Sequence, residues 1–540
     1  MPKIIIDGQE VECREGITVL QAALEAGWDI PHYCYHPSLS VVASCRLCLM
    51  EMKLPHPKTH ELDWAPKLFP SCQTPVKEGM EVRFDSDAVR ENQRHCMEYF
   101  LLNHPLDCPV CDQAGECYLQ DFSQRFGYPT SRMADEKIKN PKKDIGPRTL
   151  LYSDRCVICT RCVRFTQEIS GTHELCVTKR GARDEIDVFP GFPLDNNLQG
   201  NVVDICPVGA LLDKDFLFKQ RVWLLRPTKS VCPGCSTGCT IRVDANEGGV
   251  WRLKPRFNRK VNDYWICDAG RFGWKYIRDE RRIRRPAQRR GDALERFDWA
   301  EAPSLINFRL RQFVEQHGGA KFGVMLSPMM SCEEAWLLAT HVRKLAPEAI
   351  LALGPVPLVG EDESFPVGAT GGTVKFTVSN EKCPNRRGIE MILEALGGAQ
   401  TSHEPFARRM VEGDLTGAWI VGGYPDRWAG PEFVRAAEKL ALLILQDLLD
   451  SDLVKHADIV LPFCAWTERE GSFVNRLGLI QPFDRAQPPI EGAQQDGQYL
   501  FALAGYEGLY SAPRLREEIA EKIPAFAKVW EPEPKPKHQY

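Results

Sequence analysis

Apolar and polar positions alternate with a period of two at the start of the chain, in KIIIDGQEVEC, on either side of an Asp-Gly pair. That pattern predicts two short strands joined by a tight turn. The period lengthens to that of a helix in ITVLQAALEAGWDIP, with Thr18 placed to cap the first turn and Gly27 to end it. SVVASCRLCLMEM is expected to return as a strand, giving a ββα opening on a small sheet. From Asp87, AVRENQRHCMEYFLLNH carries apolar residues at helical spacing, so His104 falls at a helix end and faces the next loop. Beyond about Arg281, strands and helices alternate in KFGVMLSPMMSCEEAWLLATHVRKL, GAWIVGGYPDRW and KLALLILQDLLDSDLVKHADIVLP, the signature of an open α/β domain. The tail EPEPKPKHQY is too polar and proline-rich to pack and is expected to be disordered.

At 540 residues the chain is too long for one domain. Its 68 basic and 73 acidic residues are interspersed, and the net charge of -5 points neither to nucleic acid nor to an anionic membrane surface. No run approaches the ~18 apolar residues that cross a bilayer. The opening MPKIIIDGQEV has neither the apolar core of a signal peptide nor the look of a transit peptide, so a reducing, cytoplasmic setting is expected. There, 21 cysteines in close C-x-x-C groups mean metal ligands or thiols rather than disulfides. No G-x-G-x-x-G or Walker loop is present, so no nucleotide or flavin site is expected in this chain.

Four ligand sets follow one another. Cys34, Cys45, Cys48 and Cys72 are spaced C-x10-C-x2-C-x23-C; His104, Cys108, Cys111 and Cys117 are spaced H-x3-C-x2-C-x5-C. Cys156, Cys159 and Cys162 form a C-x2-C-x2-C run with a remote Cys206-Pro207, and Cys232, Cys235, Cys239 and Cys267 are spaced C-x2-C-x3-C-x27-C. Thiolates are soft, anionic donors, and short spacers let one loop present several sulfurs to one face of an iron-sulfur cluster. Zinc accepts similar ligands, so a structural zinc site is the competing reading for the first two sets. The third set keeps the bacterial ferredoxin run, and one full run supports one [4Fe-4S] cluster. Cys176 competes with Cys206 for its fourth ligand, and the proline after Cys206 favours Cys206. The histidine of the second set removes one negative charge from its centre, which by itself raises a reduction potential.

On these motifs the first set, on its ββα scaffold, resembles the [2Fe-2S] ferredoxin-like domain at the front of multi-cluster dehydrogenase subunits. NHPLDCPVCDQAGEC resembles the histidine-ligated [4Fe-4S] site of the large iron-sulfur subunit of respiratory complex I and of related hydrogenases and formate dehydrogenases. CPGCSTGC with RLKPRFNRKVNDYWICDAGRF resembles the [4Fe-4S] module that opens molybdopterin oxidoreductases, in its complex I form. ILQDLLDSDLVKHADIVLPFCAWTEREGSFVNRLGLIQ is similar to a molybdopterin-oxidoreductase segment, matched at Gln446, Asp447, Ala457 to Pro462 and Glu470 to Asn475. A pterin enzyme needs more chain and a metal-ligating residue. It also tends to have Lys two residues after the last cluster cysteine, where Ala269 stands here, and Gly-x-Asn-Pro where Gly422-Gly423-Tyr424-Pro425 stands.

The resemblance as a whole is to the large iron-sulfur subunit of complex I, in a shortened form. It implies a multidomain α+β and α/β chain divided at 1–85 (β-grasp [2Fe-2S] ferredoxin), 86–140 (histidine-ligated [4Fe-4S]), 141–225 (ferredoxin-like [4Fe-4S]), 226–285 (molybdopterin-oxidoreductase-type [4Fe-4S]), 286–528 (degenerate, truncated open α/β domain) and 529–540 (tail). It implies one [2Fe-2S] and three [4Fe-4S] clusters, no molybdopterin, and no substrate-converting site in this chain. Electrons would come from a partner FMN subunit that oxidises NADH. They would pass through the [2Fe-2S], histidine-ligated and all-cysteine clusters toward partner iron-sulfur subunits that reduce quinone, with the fourth cluster off that path. The chain would lie on the cytoplasmic side of a bacterial inner membrane, held through other subunits of the translocating complex. The alternative is the diaphorase arm of an NAD-linked hydrogenase or formate dehydrogenase complex.

Overall fold

The structure, a computed structural model, describes residues 1–55, 58 and 60–532. Most of the expected tail and part of the insertion between Cys48 and Cys72 lie outside the described residues. The chain divides into two compact units, one of residues 1–225 with 364–376 and 533–540, the other of residues 226–363 and 377–532. The first three ligand sets belong to the first unit and the fourth to the second.

The first unit opens with the expected hairpin, Lys3–Ile6 antiparallel to Gln9–Glu12. Ile4 and Ile6 alternate inward and are fully buried. Removing each such side chain from water contributes about 1.5–3 kcal/mol. Lys3–Ile6 pairs in parallel with Glu81–Arg83, which pairs antiparallel with Leu49–Pro55. The helix Val19–Glu25 covers this sheet with Val19, Leu20, Ala22, Ala23 and Leu24. It starts where a capping box allows: the Thr18 hydroxyl accepts from Gln21 N while the Gln21 side chain returns to Thr18 N. It ends before Gly27, whose φ of +95° a side chain would resist. The strand expected over SVVASCRLCLMEM begins only at Leu49. Ala43 and Arg46 ahead of it are left-handed, which no strand tolerates.

The helix Asp87–Leu101, capped by Ser86, ends three residues before His104, and Tyr118–Phe126 follows Cys117. Tyr33, beside Cys34, packs its ring against Phe100 and Phe122 of these two helices. A three-stranded sheet, Leu211–Asp213, Thr149–Tyr152 and Lys142–Asp144, carries the third set with the short helices Arg161–Phe165 and Asn201–Ile205. The segment 364–376 joins this unit through Val367 N, which donates to Ser170 O at 2.9 Å.

In the second unit a meander of Arg226–Val231, Thr240–Asn246 and Gly249–Pro255 holds the fourth set. An eight-stranded sheet follows, with Ile459–Pro462, Leu442–Asp447, Gly417–Val421, Phe322–Leu326, Ile350–Leu353 and Gln400–Ser402 as consecutive parallel neighbours. Gly417–Val421 and Leu442–Asp447 are buried throughout, as strands covered on both faces must be.

Candidate iron-sulfur centres

In the first set all four cysteines are buried. The Cys34 and Cys45 sulfurs stand 3.5 Å apart, and Ser71, next to Cys72, gives its N–H and hydroxyl to Cys48 O at 3.2 and 2.7 Å. Contact with neighbouring thiols lowers the pKa of Cys34 and Cys48 and raises that of Cys45 and Cys72. Four sulfurs that redistribute protons in this way are close enough to serve one centre.

Cys108, Cys111 and Cys117 of the second set lie along a turn that leaves Cys108 exposed and buries the other two. Burial pushes Cys117 up to about 12, and Cys108 and Cys111 add to the push, so the three thiols are neighbours. Gly209 lies against the Cys111 sulfur so closely that a Cβ there would come within 2.2 Å of it. His104 stands four residues before Cys108 and lines a separate cleft shared with Cys156. Burial lowers its pKa to about 4, aided by the Arg155 and Lys137 cations, so its imidazole is neutral and free to donate a lone pair at neutral pH. Arg155, itself buried, reaches Asp107 at 2.7 Å and Gly209 O at 3.4 Å, tying the turn of the second set to the segment after Cys206.

Cys156, Cys159, Cys162 and Cys206 line a single cavity with an empty volume of about 350 Å³, together with Leu151, Val157, Ile186, Val208 and Leu211. Ile158 and Thr160, between the first three cysteines, have φ of +48° and +57°. A β-branched residue in that region is strained by about 1–2 kcal/mol. That conformation bends the run so that successive sulfurs face inward, and Ile158 N donates to the Cys156 sulfur at 3.4 Å. Cys176 lies instead on the hairpin strand Leu175–Thr178, where its thiol reaches Asp187 O at 3.6 Å, outside the residues that line the cavity. Burial raises all four ligand thiols, Cys159 to about 11. A bound cation that holds them as thiolates must therefore supply substantial binding free energy.

Cys232, Cys235, Cys239 and Cys267 are buried within the second unit. Cys232 N donates to Cys239 O at 2.9 Å, closing the loop, and Gly234 N and Gly270 N donate to the Cys232 and Cys267 sulfurs at 3.5 and 3.4 Å. Gly270 keeps the space beside the Cys232 sulfur open, since a Cβ there would approach it to 3.0 Å. The loop is held from outside by Asn475, which donates to Thr237 O at 3.2 Å, and by Gln481, which donates to Gly238 O at 2.7 Å. Among the described residues, no three His, Cys, Asp or Glu side chains meet in the arrangement of a single-ion site.

The pterin-like positions are occupied by their own neighbours. Asp447 accepts from Gly423 N and Leu448 N, each at 2.7 Å, and from Trp428 Nε1 at 2.9 Å, while Gln446 donates to Asp496 at 2.7 Å. Glu470 accepts from Ala512 N at 3.0 Å. The residues that sequence reasoning missed are Arg155, Arg161 and Arg164: each is buried beside ligand loops, and nothing in a spacing pattern marks them.

Comparison with known proteins agrees with the order of these sites. The family described as a 2Fe-2S iron-sulfur cluster binding domain matches residues 3–87, and the NADH-ubiquinone oxidoreductase-G iron-sulfur binding region matches 93–132. The NADH-quinone oxidoreductase subunit 3 ferredoxin-like domain matches 146–212, the molybdopterin oxidoreductase Fe4S4 domain 225–279, and the molybdopterin oxidoreductase family 409–506. The NADH-quinone oxidoreductase-G protein of Rickettsia conorii is 29% identical over 98% of this chain and 92% of its own length. The chain belongs to the family of that protein, the large iron-sulfur subunit of complex I. The alignment runs over 626 positions against a chain of 540 residues, so this member is a shortened one. The NADH-ubiquinone oxidoreductase 75 kDa subunit of Reclinomonas americana is 33% identical over 66% of this chain and 50% of its own. A solved chain of an NAD+-reducing [NiFe]-hydrogenase is 26% identical, covering 41% of this chain and 91% of that one, with a TM-score of 0.35. The chain thus carries 2Fe-2S and 4Fe-4S binding domains and a molybdopterin-oxidoreductase-like domain in one multidomain α/β molecule.

Proposed function

We propose that this chain is the electron-relay subunit of a translocating NADH:quinone oxidoreductase, taking single electrons from a partner FMN subunit and delivering them to partner iron-sulfur subunits on the way to quinone. Cys34, Cys45, Cys48 and Cys72 hold a [2Fe-2S] cluster, and the sets headed by His104, Cys156 and Cys232 each hold a [4Fe-4S] cluster. When bound, these clusters supply one-electron storage; the chain's residues fix their spacing and surroundings, and no substrate is converted here. The complex sits peripherally on the cytoplasmic face of a bacterial inner membrane. Among the described residues no helix is long and apolar enough to cross a membrane, so attachment runs through partner subunits.

The observation that carries this reading is the direct linkage of ligand segments within the first unit. The Arg164 guanidinium donates to Cys34 O at 2.6 Å and to Cys159 O at 3.1 Å. Tyr118 N, after Cys117, donates to Pro207 O, after Cys206, at 3.2 Å. These contacts support a relay from the first set to the third and then to the second, so packing reverses the order in which the last two occur along the chain. Cys111→Ala or Cys159→Ala is expected to abolish NADH-driven quinone reduction in the purified complex, and retained activity would sink the relay assignment. Co-purification from membranes with an FMN-binding NADH subunit is the matching test of the partners.

A further inference from the structure

Arg164 is buried at 4% exposure, and each of its nitrogens has an acceptor. Nη2 spans Cys34 O and Cys159 O, Nη1 donates to Ser40 O, and Nε donates to Thr160 Oγ1 at 3.4 Å. Arg161, fully buried, repeats the pattern: Nη1 donates to Ile205 O, just before Cys206, at 3.3 Å, and Nη2 donates to Tyr35 O, just after Cys34. Two guanidinium groups therefore clamp the loop of the first set onto two ligand segments of the third. Among the described residues no carboxylate forms an ion pair with Arg164. A buried cation is costly unless it is hydrogen-bonded and faces a countercharge. The countercharges here are the ligand thiolates, since Arg164 acts on Cys159 and feels both Cys159 and Cys34.

We infer that Arg164, supported by Arg161, is the positioning residue for electron transfer between the first and third sets, fixing the separation of Cys34 and Cys159 and lending one positive charge to both centres. The inference rests on the relay reading. In the step concerned, one electron leaves the centre held by Cys34 and arrives at the centre held by Cys159. No bond or proton moves, because a guanidinium stays protonated throughout. Each centre becomes more negative when reduced, and a fixed cation in a low-dielectric interior favours that form at both.

The test is EPR-monitored redox titration and freeze-quench reduction by NADH in the purified full complex, comparing wild type, R164Q and R164K. With both signals retained, R164Q is expected to lower the midpoints of both centres and to slow reduction of the third-set centre at least tenfold. R164K is expected to restore the midpoints, because it keeps the charge, but not the rate, because it lacks the two-armed fork. A merely structural arginine would not shift two midpoints and have them rescued by lysine. Unchanged midpoints and rate in R164Q would overturn the proposal. If R164Q does not assemble, an unaltered rate in R164K overturns it. If neither assembles, the wild type decides: reduction of the third-set centre must broaden the first-set signal, and absence of that interaction overturns the proposal. Signals are assigned by C34A and C159A; a wild-type complex lacking both signals would refute the relay reading itself rather than the role of Arg164.

Discussion

Gly209 is the residue on which the second set depends most directly. Its missing side chain leaves room for the Cys111 sulfur, and a Cβ at 2.2 Å would force either the sulfur or the backbone to move. Gly209→Ala is expected to remove the EPR signal of the second-set centre and its share of bound iron while sparing the other three. Retention of that signal would show that Cys111 is not a ligand in the place described. His104 offers a finer test. Its imidazole is kept neutral by burial and by Arg155 and Lys137, so His104→Cys exchanges a neutral donor for an anionic one. The centre is expected to survive with a lower midpoint, since added negative charge disfavours reduction. A midpoint that rises would contradict the assignment.

At the scale of elements, capped helices and strands end where ligands begin. Cys267 is itself the cap of Asp268–Phe272, and Cys206 ends Asn201–Ile205. The same logic runs without ligands at the strand end Gln446-Asp447. There, Gly422 has no space for a Cβ, which would meet the Asp447 carboxylate at 2.3 Å, and the turn closes on that carboxylate. Burial raises Asp447 from 3.8 to about 6, against the pull of its three N–H donors. Between these values the folded chain holds a proton that the unfolded chain has lost, so stability is greatest at the acid end and falls as pH rises through about 6. The loss attributable to this group is up to about 3 kcal/mol. Thermal unfolding of wild type and Asp447→Asn between about pH 4 and 7 is expected to show the wild type losing ground to the variant as pH rises. Parallel curves would mean that Asp447 is ionised throughout.

Across the whole molecule, what was legible in the sequence was whatever local spacing encodes. The Thr18 capping box, the Asp-Gly hairpin, the four ligand sets and the α/β alternation after Arg281 each depend on residues a few positions apart, and each is found. The late start of the strand at Leu49 was not legible, because the left-handed Ala43 and Arg46 follow from the ligand loop rather than from propensity. Nor was the adjacency of the first and third sets. Arg164 meets Cys34 and Ser40 across more than a hundred residues, and a buried arginine has no spacing signature. Chain order therefore suggested a relay through the histidine-ligated site second, whereas the packing supports the all-cysteine site in that position.

That order is the centre of the account, and one measurement tests it most directly: low-temperature EPR of the purified Cys159→Ala complex after NADH addition, with dithionite used to show which centres are present. The account predicts that NADH reduces the first-set centre but leaves the second-set centre oxidised, although dithionite reduces both. Rapid reduction of the second-set centre by NADH in that variant would contradict it.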